Sequence, residues 1–173
     1  MKLRSNRGFT LVELMVTIAV FGILIAAAVP SLRGMIRNNQ IATQANTFVA
    51  ALQYARSEAL KRRQAIVLKP TGGTADWAGG WTTWVDTDDD GSQDGGETVL
   101  KNQPKLSGGG TLTASNASNV VYRPNGFVTA GGCTADANFA FCADLCKEAG
   151  KSGRRIRITV TGRVELVSEY TCP

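Results

Sequence analysis

One acidic stretch of this sequence has the residue spacing of a calcium-binding loop. Its acids stand at loop positions 1, 3, 5, 9 and 12, and a glycine stands at position 6. These residues are Asp86, Asp88, Asp90, Asp94 and Glu97, with Gly91. Ca²⁺ takes oxygen ligands, and the glycine allows a tight turn around the ion. The flanks, residues 81–85 and 98–100, have the composition of strands, so a solvent-exposed acidic hairpin turn is the favoured interpretation and bound Ca²⁺ is the alternative. We expect no required cofactor, and Ca²⁺ is the one candidate.

A second charged cluster is basic and lies near the C-terminus. It consists of Arg154, Arg155, Arg157 and Arg163. In a strand, Arg155 and Arg157 would share one face, whereas Ile156 and Ile158 would turn toward the core. Such a face could hold nucleic-acid phosphates, with an affinity that salt weakens. A solvent-facing or protein-contacting surface is the favoured interpretation, and DNA contact is the alternative.

The sequence offers few catalytic groups. It has no histidine, which removes the commonest general base and a common metal ligand. Its glycine doublets lack the G-K-[ST] ending of a phosphate-binding loop, and its serines lie in scattered loops without a nucleophile–base pair. We therefore predict that the protein is not an enzyme.

A lone acid interrupts the apolar N-terminal run, residues 9–29. At about 1.5 Å per residue, this run makes a helix of about 30 Å, the thickness of a bilayer's hydrocarbon core. An unpaired carboxylate there costs about 2.5–3.5 kcal/mol. Near the start of the helix, Glu13 gains from the helix dipole. Pro30 predicts a kink or local melting without ending the helix.

The residues before the apolar run define a leader. Lys2, Arg4 and Arg7 place it in the cytoplasm, so everything after the helix lies outside. A secretory signal would be cleaved after the apolar run, whereas the small residue Gly8 precedes it. Three of the 19 basic residues lie in this leader, so the rest of the chain has 16 basic and 14 acidic residues. The net charge of the mature chain is therefore a weak argument for nucleic-acid binding.

The junction G-F-T-L-V-E, which begins at Gly8, resembles the prepilin cleavage signal of type IV pilins and type II secretion pseudopilins. The resemblance implies that a prepilin peptidase cuts after Gly8 and methylates the new N-terminal residue, Phe9. It makes Glu13 and Pro30 the residues of the helix that serve assembly. On this resemblance, the favoured interpretation is that Glu13 pairs with the Phe9 amine of a neighbouring subunit. Membrane lipid surrounds the helix before assembly.

All four cysteines lie in the last quarter of the chain, at Cys133, Cys142, Cys146 and Cys172. Because this part faces outward, two disulfides are favoured over a zinc site. If residues 139–145 pair with residues 154–160 and a turn leads into the final strand, Cys146 and Cys172 come to the same end of the sheet. We therefore predict Cys146–Cys172 and Cys133–Cys142, although four cysteines allow three connectivities.

The remaining pattern predicts an α+β fold. Residues 31–63 continue the helix as an amphipathic rod, whose apolar stripe comprises Ile41, Ala45, Phe48, Leu52, Ala55 and Ala59. Short strand-like runs follow, separated by glycine doublets, at residues 65–69, 81–86, 97–101, 120–123, 139–142, 155–161 and 163–167. No second long helix is needed between them, so the sheet should be mainly antiparallel. Trp77, Trp81 and Trp84 are expected to pack in the core or in turns.

This pattern, together with the cleavage signal, divides the chain into four parts. Residues 1–8 form the prepilin leader, and residues 9–30 form the transmembrane and filament-core helix. Residues 31–64 form the amphipathic second half of that helix, and residues 65–173 form a globular β domain with C-terminal disulfides. The fold is thus pilin-like: a long N-terminal helix, membrane-spanning in its first half, packs on a C-terminal antiparallel β-sheet domain.

Four internal runs resemble the FimU/FimT/GspH-type minor pilins and pseudopilins. They are Q-Y-A-R-S-E-A-L-K-R at 53–62, G-W-T-T-W-V-D at 80–86, V-V-Y-R-P-N-G at 120–126 and R-I-R-I-T-V-T-G-R at 155–163. The resemblance implies a minor type IV pilin that crosses the inner membrane once, with its C-terminal domain in the periplasm, and then enters the pilus. The implied partners are other minor pilins, the major pilin and the inner-membrane assembly platform.

The implied role is to prime pilus assembly and so to support motility, adhesion or DNA uptake. Two alternatives remain open, a GspH-type pseudopilin of type II secretion and a FimT-type DNA-binding pilin. The FimT type carries a C-terminal G-R-x-R motif, but here the matching stretch is Gly162-Arg163-Val164-Glu165, with an acid in place of the second arginine.

Overall fold

The computed structural model describes residues 8–72, 75–114, 118–130, 139–147, 150 and 152–172. The described elements are one helix, α1 (Leu11–Arg62), and nine strands. The strands are β1 (Ala65–Pro70), β2 (Trp81–Asp86), β3 (Val99–Gln103), β4 (Thr111–Ala114), β5 (Val120–Tyr122), β6 (Val128–Ala130), β7 (Phe139–Cys146), β8 (Ser152–Thr159) and β9 (Val164–Thr171). The chain divides into two compact units, Met1–Arg37 and Asn38–Pro173.

In the first unit the described residues form a helix that buries almost nothing. The large apolar side chains from residue 9 to residue 25 are between 49% and 88% exposed. By length and composition, α1 is the one described helix that could cross a membrane. It continues through Pro30, in agreement with the expectation that this proline need not end the helix.

In the second unit the same helix has a fully buried stripe. The six predicted stripe residues, Ile41, Ala45, Phe48, Leu52, Ala55 and Ala59, are all at most 3% exposed, which confirms the predicted amphipathic pattern. The helix ends at Arg62, because Arg63 takes a left-handed conformation with φ of 55°.

The strands form two antiparallel sheets. Sheet A has five strands in the order β3-β2-β1-β5-β6, and sheet B has four in the order β4-β7-β8-β9. All described pairings are antiparallel, as predicted. The fold is therefore α+β, with the second half of the long helix packed on antiparallel sheets.

A cluster of aromatic rings joins the helix to both sheets. The Phe48 ring of α1 lies 5.2 Å from Trp77 and 5.1 Å from Trp81, both in edge-to-face geometry, and 6.0 Å from Phe141 of sheet B. Trp77 and Phe141 also stack edge to face at 5.5 Å. These four side chains and Trp84 are at most 1% exposed, so the expectation that the tryptophans are core residues is confirmed.

The predicted strand boundaries differ from the structure by two residues or more at four places, and β1 and β5 differ by one residue. Residues 97–101 were expected as a strand, but β3 begins at Val99 because the Glu97 carboxylate accepts backbone bonds within the preceding loop. The strand predicted at residues 139–142 continues to Cys146, because Ala143 and Leu145 are also buried. The strand predicted at 155–161 begins at Ser152 and ends at Thr159, where a turn starts. The last strand, predicted at 163–167, continues to Thr171.

Two short strands were not predicted. They are β4 and β6, with four and three residues. Each has too few residues to show a clear alternation. Both contribute core side chains, since Leu112 and Val128 are buried.

The predicted Cys146–Cys172 disulfide is confirmed, with a Cα–Cα distance of 5.7 Å. It joins the end of β7 to the residue after β9 and passes beside Gly153 of β8, which lies between these strands. The second predicted pairing, Cys133–Cys142, stays a prediction. Cys142 is disulfide-bonded, but Cys133 lies outside the described residues.

Gly153 is predicted to be required for the Cys146–Cys172 disulfide. A Cβ atom at this position would lie 2.6 Å from the Cys172 Sγ and 2.7 Å from the Leu145 carbonyl oxygen, far inside normal contact. We expect Gly153→Ala to leave a reactive thiol at Cys172 and to lower the free energy of unfolding by about 2–4 kcal/mol, the typical contribution of a native disulfide. Thiol titration and thermal unfolding measure both effects.

Gly96→Ala is the matched control, because a Cβ atom there meets nothing within 4 Å and the backbone is not left-handed. It should leave both the thiol count and the melting temperature unchanged. An intact disulfide and an unchanged melting temperature in Gly153→Ala would contradict the prediction.

Candidate assembly and binding sites

Glu13 is held by a reciprocal contact at the start of α1. The backbone N–H and the hydroxyl of Thr10 both donate to the Glu13 Oε2, each at 3.1 Å, and the Glu13 N–H donates to the Thr10 Oγ1 at 3.2 Å. This arrangement is a capping box, which satisfies backbone donors that a helix start leaves unpaired. The sequence prediction assigned Glu13 an assembly role and missed Thr10, although the T-x-x-E spacing was visible.

The predicted cleavage junction lies just before this capping box. Gly8 is exposed and non-helical, and nothing lies within 4 Å of a Cβ atom built on it. Phe9 is 88% exposed, and the helix begins two residues later at Leu11. The leader cations Lys2, Arg4 and Arg7 lie outside the described residues. The junction is therefore accessible, but its processing stays a prediction.

The acidic loop after β2 is organised by carboxylate–backbone bonds. Asp86 is buried, and its two oxygens accept bonds from the N–H groups of Asp89 at 2.8 Å and Gly91 at 3.0 Å. Glu97 accepts a bond from the Thr87 N–H at 2.8 Å. Burial raises the pKa of Asp86, and the two backbone bonds oppose that effect. Asp86 and Glu97, the first and last acids of the calcium pattern, thus stabilise the loop through hydrogen bonds to its backbone.

The same loop brings five of the predicted ligands together. Carboxylate oxygens of Asp86, Asp88 and Glu97 lie within 4.8 Å of one another, and so do those of Asp88, Asp90 and Asp94. Asp88 belongs to both groups. Carboxylate oxygens at this spacing suit Ca²⁺, but exposed acidic turns also occur without an ion. The solvated turn therefore stays the favoured interpretation, and calcium binding stays the alternative to be tested.

The basic cluster on β8 is largely paired with acids. Arg155 donates to both oxygens of Asp144 on β7, at 2.6 and 2.8 Å, and to the Tyr170 hydroxyl at 2.9 Å. Its guanidinium also lies 4.2 Å from the centre of the Tyr170 ring. The contact with Asp144 raises the pKa of Arg155. This bidentate, half-buried pair has the geometry of a structural contact.

The other three arginines of the cluster differ in how far they are paired. Arg154 donates to the Ser168 carbonyl, and Arg157 lies 3.4 Å from Glu165. Arg163 has a 76% exposed side chain, and its Nε lies 3.9 Å from Glu165. Sequence reasoning missed Asp144 and Tyr170 and did not pair Glu165 with Arg157, because only the register of the strands places these residues beside the arginines. DNA contact by these arginines stays a prediction.

Comparisons with known proteins agree with these features. Residues 44–162 match the family model described as "Type II transport protein GspH", and residues 3–29 match the one described as "Prokaryotic N-terminal methylation motif". A curated protein of Pseudomonas aeruginosa named "Fimbrial protein" is 30% identical over 132 residues, which cover 69% of this chain and 85% of the relative.

Two solved structures share the fold. One is the type IV minor pilin FimU of Pseudomonas aeruginosa, with a TM-score of 0.62, 22% identity and coverage of 78% of this chain and 96% of that one. The other is the minor pseudopilin EpsH from the type II secretion system of Vibrio cholerae, with a TM-score of 0.53, 18% identity and coverage of 75% and 97%. At these identities the two matches establish the fold alone.

A calcium titration separates the two interpretations of the acidic loop. A bound ion would stabilise the folded chain by about 2.7 kcal/mol at a free concentration 100 times its Kd, and so raise the melting temperature. We expect this shift to disappear in Asp88→Asn, because Asp88 belongs to both carboxylate groups. Tryptophan fluorescence supplies a second signal, since Trp84 precedes Asp86 by two residues on β2.

Mg²⁺ at equal concentration is the control, because it demands shorter octahedral coordination. A melting temperature that is the same with Ca²⁺ as with a chelator would establish the solvated turn and contradict the calcium interpretation.

The arginines of the basic cluster should respond unequally to substitution. Arg155→Gln leaves the half-buried Asp144 without its bidentate partner, so we expect a loss of about 1–3 kcal/mol in the free energy of unfolding. Arg163→Gln removes an exposed side chain and should change stability by less than about 0.5 kcal/mol. Chemical denaturation of the two variants measures the difference.

For this reason, Arg163→Gln is the informative variant in a DNA mobility-shift assay. If this face binds DNA, the substitution should weaken binding. It should also reduce the slope of log affinity against log salt concentration by about 1, the contribution of one phosphate contact. Equal stability losses in the two variants would contradict the structural role given to Arg155.

Proposed function

We propose that this protein is a minor subunit of a type IV pilus, because the chain belongs to the GspH family of minor pilins and pseudopilins. This is a family of structural subunits rather than enzymes. The subunit would be inserted in the inner membrane by its N-terminal helix, with the β domain in the periplasm, and then move into the fibre.

The unburied first half of α1 is the observation that carries this proposal. A helix whose apolar side chains are 49–88% exposed needs a lipid or protein environment around it. At about 25 cal/mol per Å², transferring such side chains from water favours burial by about 1.5–3 kcal/mol each. Lipid would supply this environment before assembly, and the helices of neighbouring subunits would supply it afterwards.

The N-terminal junction gives the proposed order of events. A prepilin peptidase would cut after the exposed Gly8 and methylate the amine of Phe9. The match to the N-terminal methylation motif over residues 3–29 supports this step. Cleavage would remove the leader cations and leave a single cationic amine at the start of the apolar helix.

Glu13 would then help to fix the position of the subunit in the fibre. A carboxylate in a low-dielectric environment is strongly stabilised by a nearby cation, and the Phe9 amine of a neighbouring subunit would supply one. The Thr10 capping box occupies one carboxylate oxygen, Oε2, so the helix start can stay capped while the other oxygen faces a neighbour.

The proposed biological role follows from this place in a fibre. The subunit would help prime assembly together with other minor pilins, the major pilin and the inner-membrane platform, and so support motility, adhesion or DNA uptake. A GspH-type pseudopilin of type II secretion is the second candidate, favoured by the match to the GspH model over residues 44–162. Finding the subunit in sheared pili or in a secretion pseudopilus decides between them.

The proposal predicts the chemical state and fate of the mature subunit. Mass spectrometry of fibres should find a chain that begins at N-methylated Phe9. In Glu13→Ala the chain should still be cleaved, but its amount in sheared fibres should fall by about tenfold or more, because the loss of a desolvated ion pair exceeds about 1.4 kcal/mol.

Thr17→Val is a matched control on the same helix, because the Thr17 hydroxyl contacts only the Leu14 carbonyl, at 2.8 Å, among the described residues. It should enter fibres at the normal level. A subunit that still begins at Met1 in cells with an active prepilin peptidase would refute the proposal.

A further inference from the structure

An exposed surface lies where the end of α1 meets two turns of the β domain. We propose that this surface binds an acidic protein surface with an apolar centre on a different subunit of the same fibre, an inference that rests on the proposed function. We call it the turn surface and define it by Leu60, Phe127 and Val160 at its centre and Lys61, Arg62 and Arg163 at its rim.

The centre of the turn surface is apolar and exposed. Leu60, Phe127 and Val160 are 49%, 45% and 47% exposed, and they are three of the five large apolar side chains so exposed among the described residues from 38 onward. They come from separate parts of the chain, but a Cβ atom on Gly126 would lie 3.3 Å from the Leu60 Cδ2. A cluster of exposed apolar side chains on a rigid domain is typical of a protein interface.

The two turns that carry this centre are locked together. The Val128 N–H donates to the Val160 carbonyl at 2.9 Å, and the Arg56 Nη2 donates to the Thr161 carbonyl at 2.9 Å. Gly162 packs so closely on Gly126 that a Cβ atom on it would lie 2.1 Å from the Gly126 carbonyl oxygen. The surface is therefore preformed, which lowers the entropic cost of binding a partner.

The rim of the turn surface is positive. The side chains of Lys61 and Arg163 are 71% and 76% exposed. The two acids that pair with the rim are more buried: Glu58 has a 12% exposed side chain and pairs with Arg62 at 2.7 Å, and Glu165 has a 29% exposed side chain. The hydrogen bond from Arg62 lowers the pKa of Glu58. Lys61 also pairs with Glu58, at 3.4 Å, so the rim has three cations and two acids, and the cations are the more exposed side chains. Charge complementarity therefore calls for an acidic partner.

The partner should be a different subunit rather than a second copy. The exposed acids of this chain cluster in the loop that holds Asp88 and Asp90, and that loop lies at the same end of the domain as the turn surface. Arg63, which directly follows α1, lines one cavity together with Asp86 and Asp89. A head-to-tail stack of identical copies therefore cannot place the acidic loop of one copy on the turn surface of the next.

Site-specific photo-crosslinking of the full-length chain in fibre-producing cells tests the inference. A photoreactive phenylalanine derivative at Leu60 or Val160 should yield an adduct with another pilin or pseudopilin subunit. The same group at Val99 is the matched control, because Val99 is 45% exposed but lies on β3. We expect an adduct yield about tenfold lower at Val99, because that side chain lies outside the turn surface.

Charge reversal tests the rim independently. Lys61→Glu combined with Arg163→Glu should lower the adduct yield at Val160 by about tenfold. Lys101→Glu reverses an exposed charge on β3 and should leave the yield unchanged.

Each other outcome contradicts the inference in a recognisable way. Adducts with DNA, adducts with a second copy, or equal yields at Leu60 and Val99 while the chain is present in sheared fibres would overturn it and leave the proposed function standing. A chain that is cleaved but absent from all fibres would overturn the proposed function and the inference together.

Discussion

The packing of one face of α1 against both sheets is the interaction on which the β domain depends. Sheets A and B are separate in their strand pairing, and the Phe48 ring contacts aromatic side chains associated with each of them. Four alanines on the helix, Ala45, Ala51, Ala55 and Ala59, are nearly or fully buried, which lets the strands approach closely. Removing one large core aromatic typically costs about 3–5 kcal/mol, a large fraction of the stability of a small domain.

The two halves of α1 differ in what can bury their apolar side chains. From residue 41 onward its apolar side chains repeat at helical spacing and are buried by the chain's own sheets. Before residue 30 they cover the whole circumference, so no single sheet could bury them, and the described residues there make no core. The second half thus folds with its own chain, whereas the first half requires a partner outside it. A membrane-anchored assembly subunit meets both demands.

The sequence predicted those features that repeat or that follow from counting along a strand. The buried stripe of α1 could be predicted because six residues recur at steps of three and four. The Cys146–Cys172 disulfide could be predicted because the lengths of two hairpins bring both residues to one end of a sheet. The strands β4 and β6 could not, since four and three residues are too few for periodicity to decide. The sequence also could not predict contacts that depend on cross-strand register, such as the contact between Asp144 and Arg155.

Pairing, rather than the number of charges in the sequence, decides which charged groups can meet a partner. The sequence of β8 predicts a basic surface from its run of arginines. In the structure, however, two N–H groups of Arg155 donate to the Asp144 carboxylate, and Arg157 lies 3.4 Å from Glu165. In the acidic loop, Asp86 and Glu97 are engaged by backbone N–H groups. The side chains of Lys61 and Arg163 lie 3.4 and 3.9 Å from Glu58 and Glu165, but they stay more than 70% exposed. Because a largely exposed cation can still meet an acidic partner, Lys61 and Arg163 are better placed for contact than the half-buried Arg155, although the sequence alone points to the arginine run on β8.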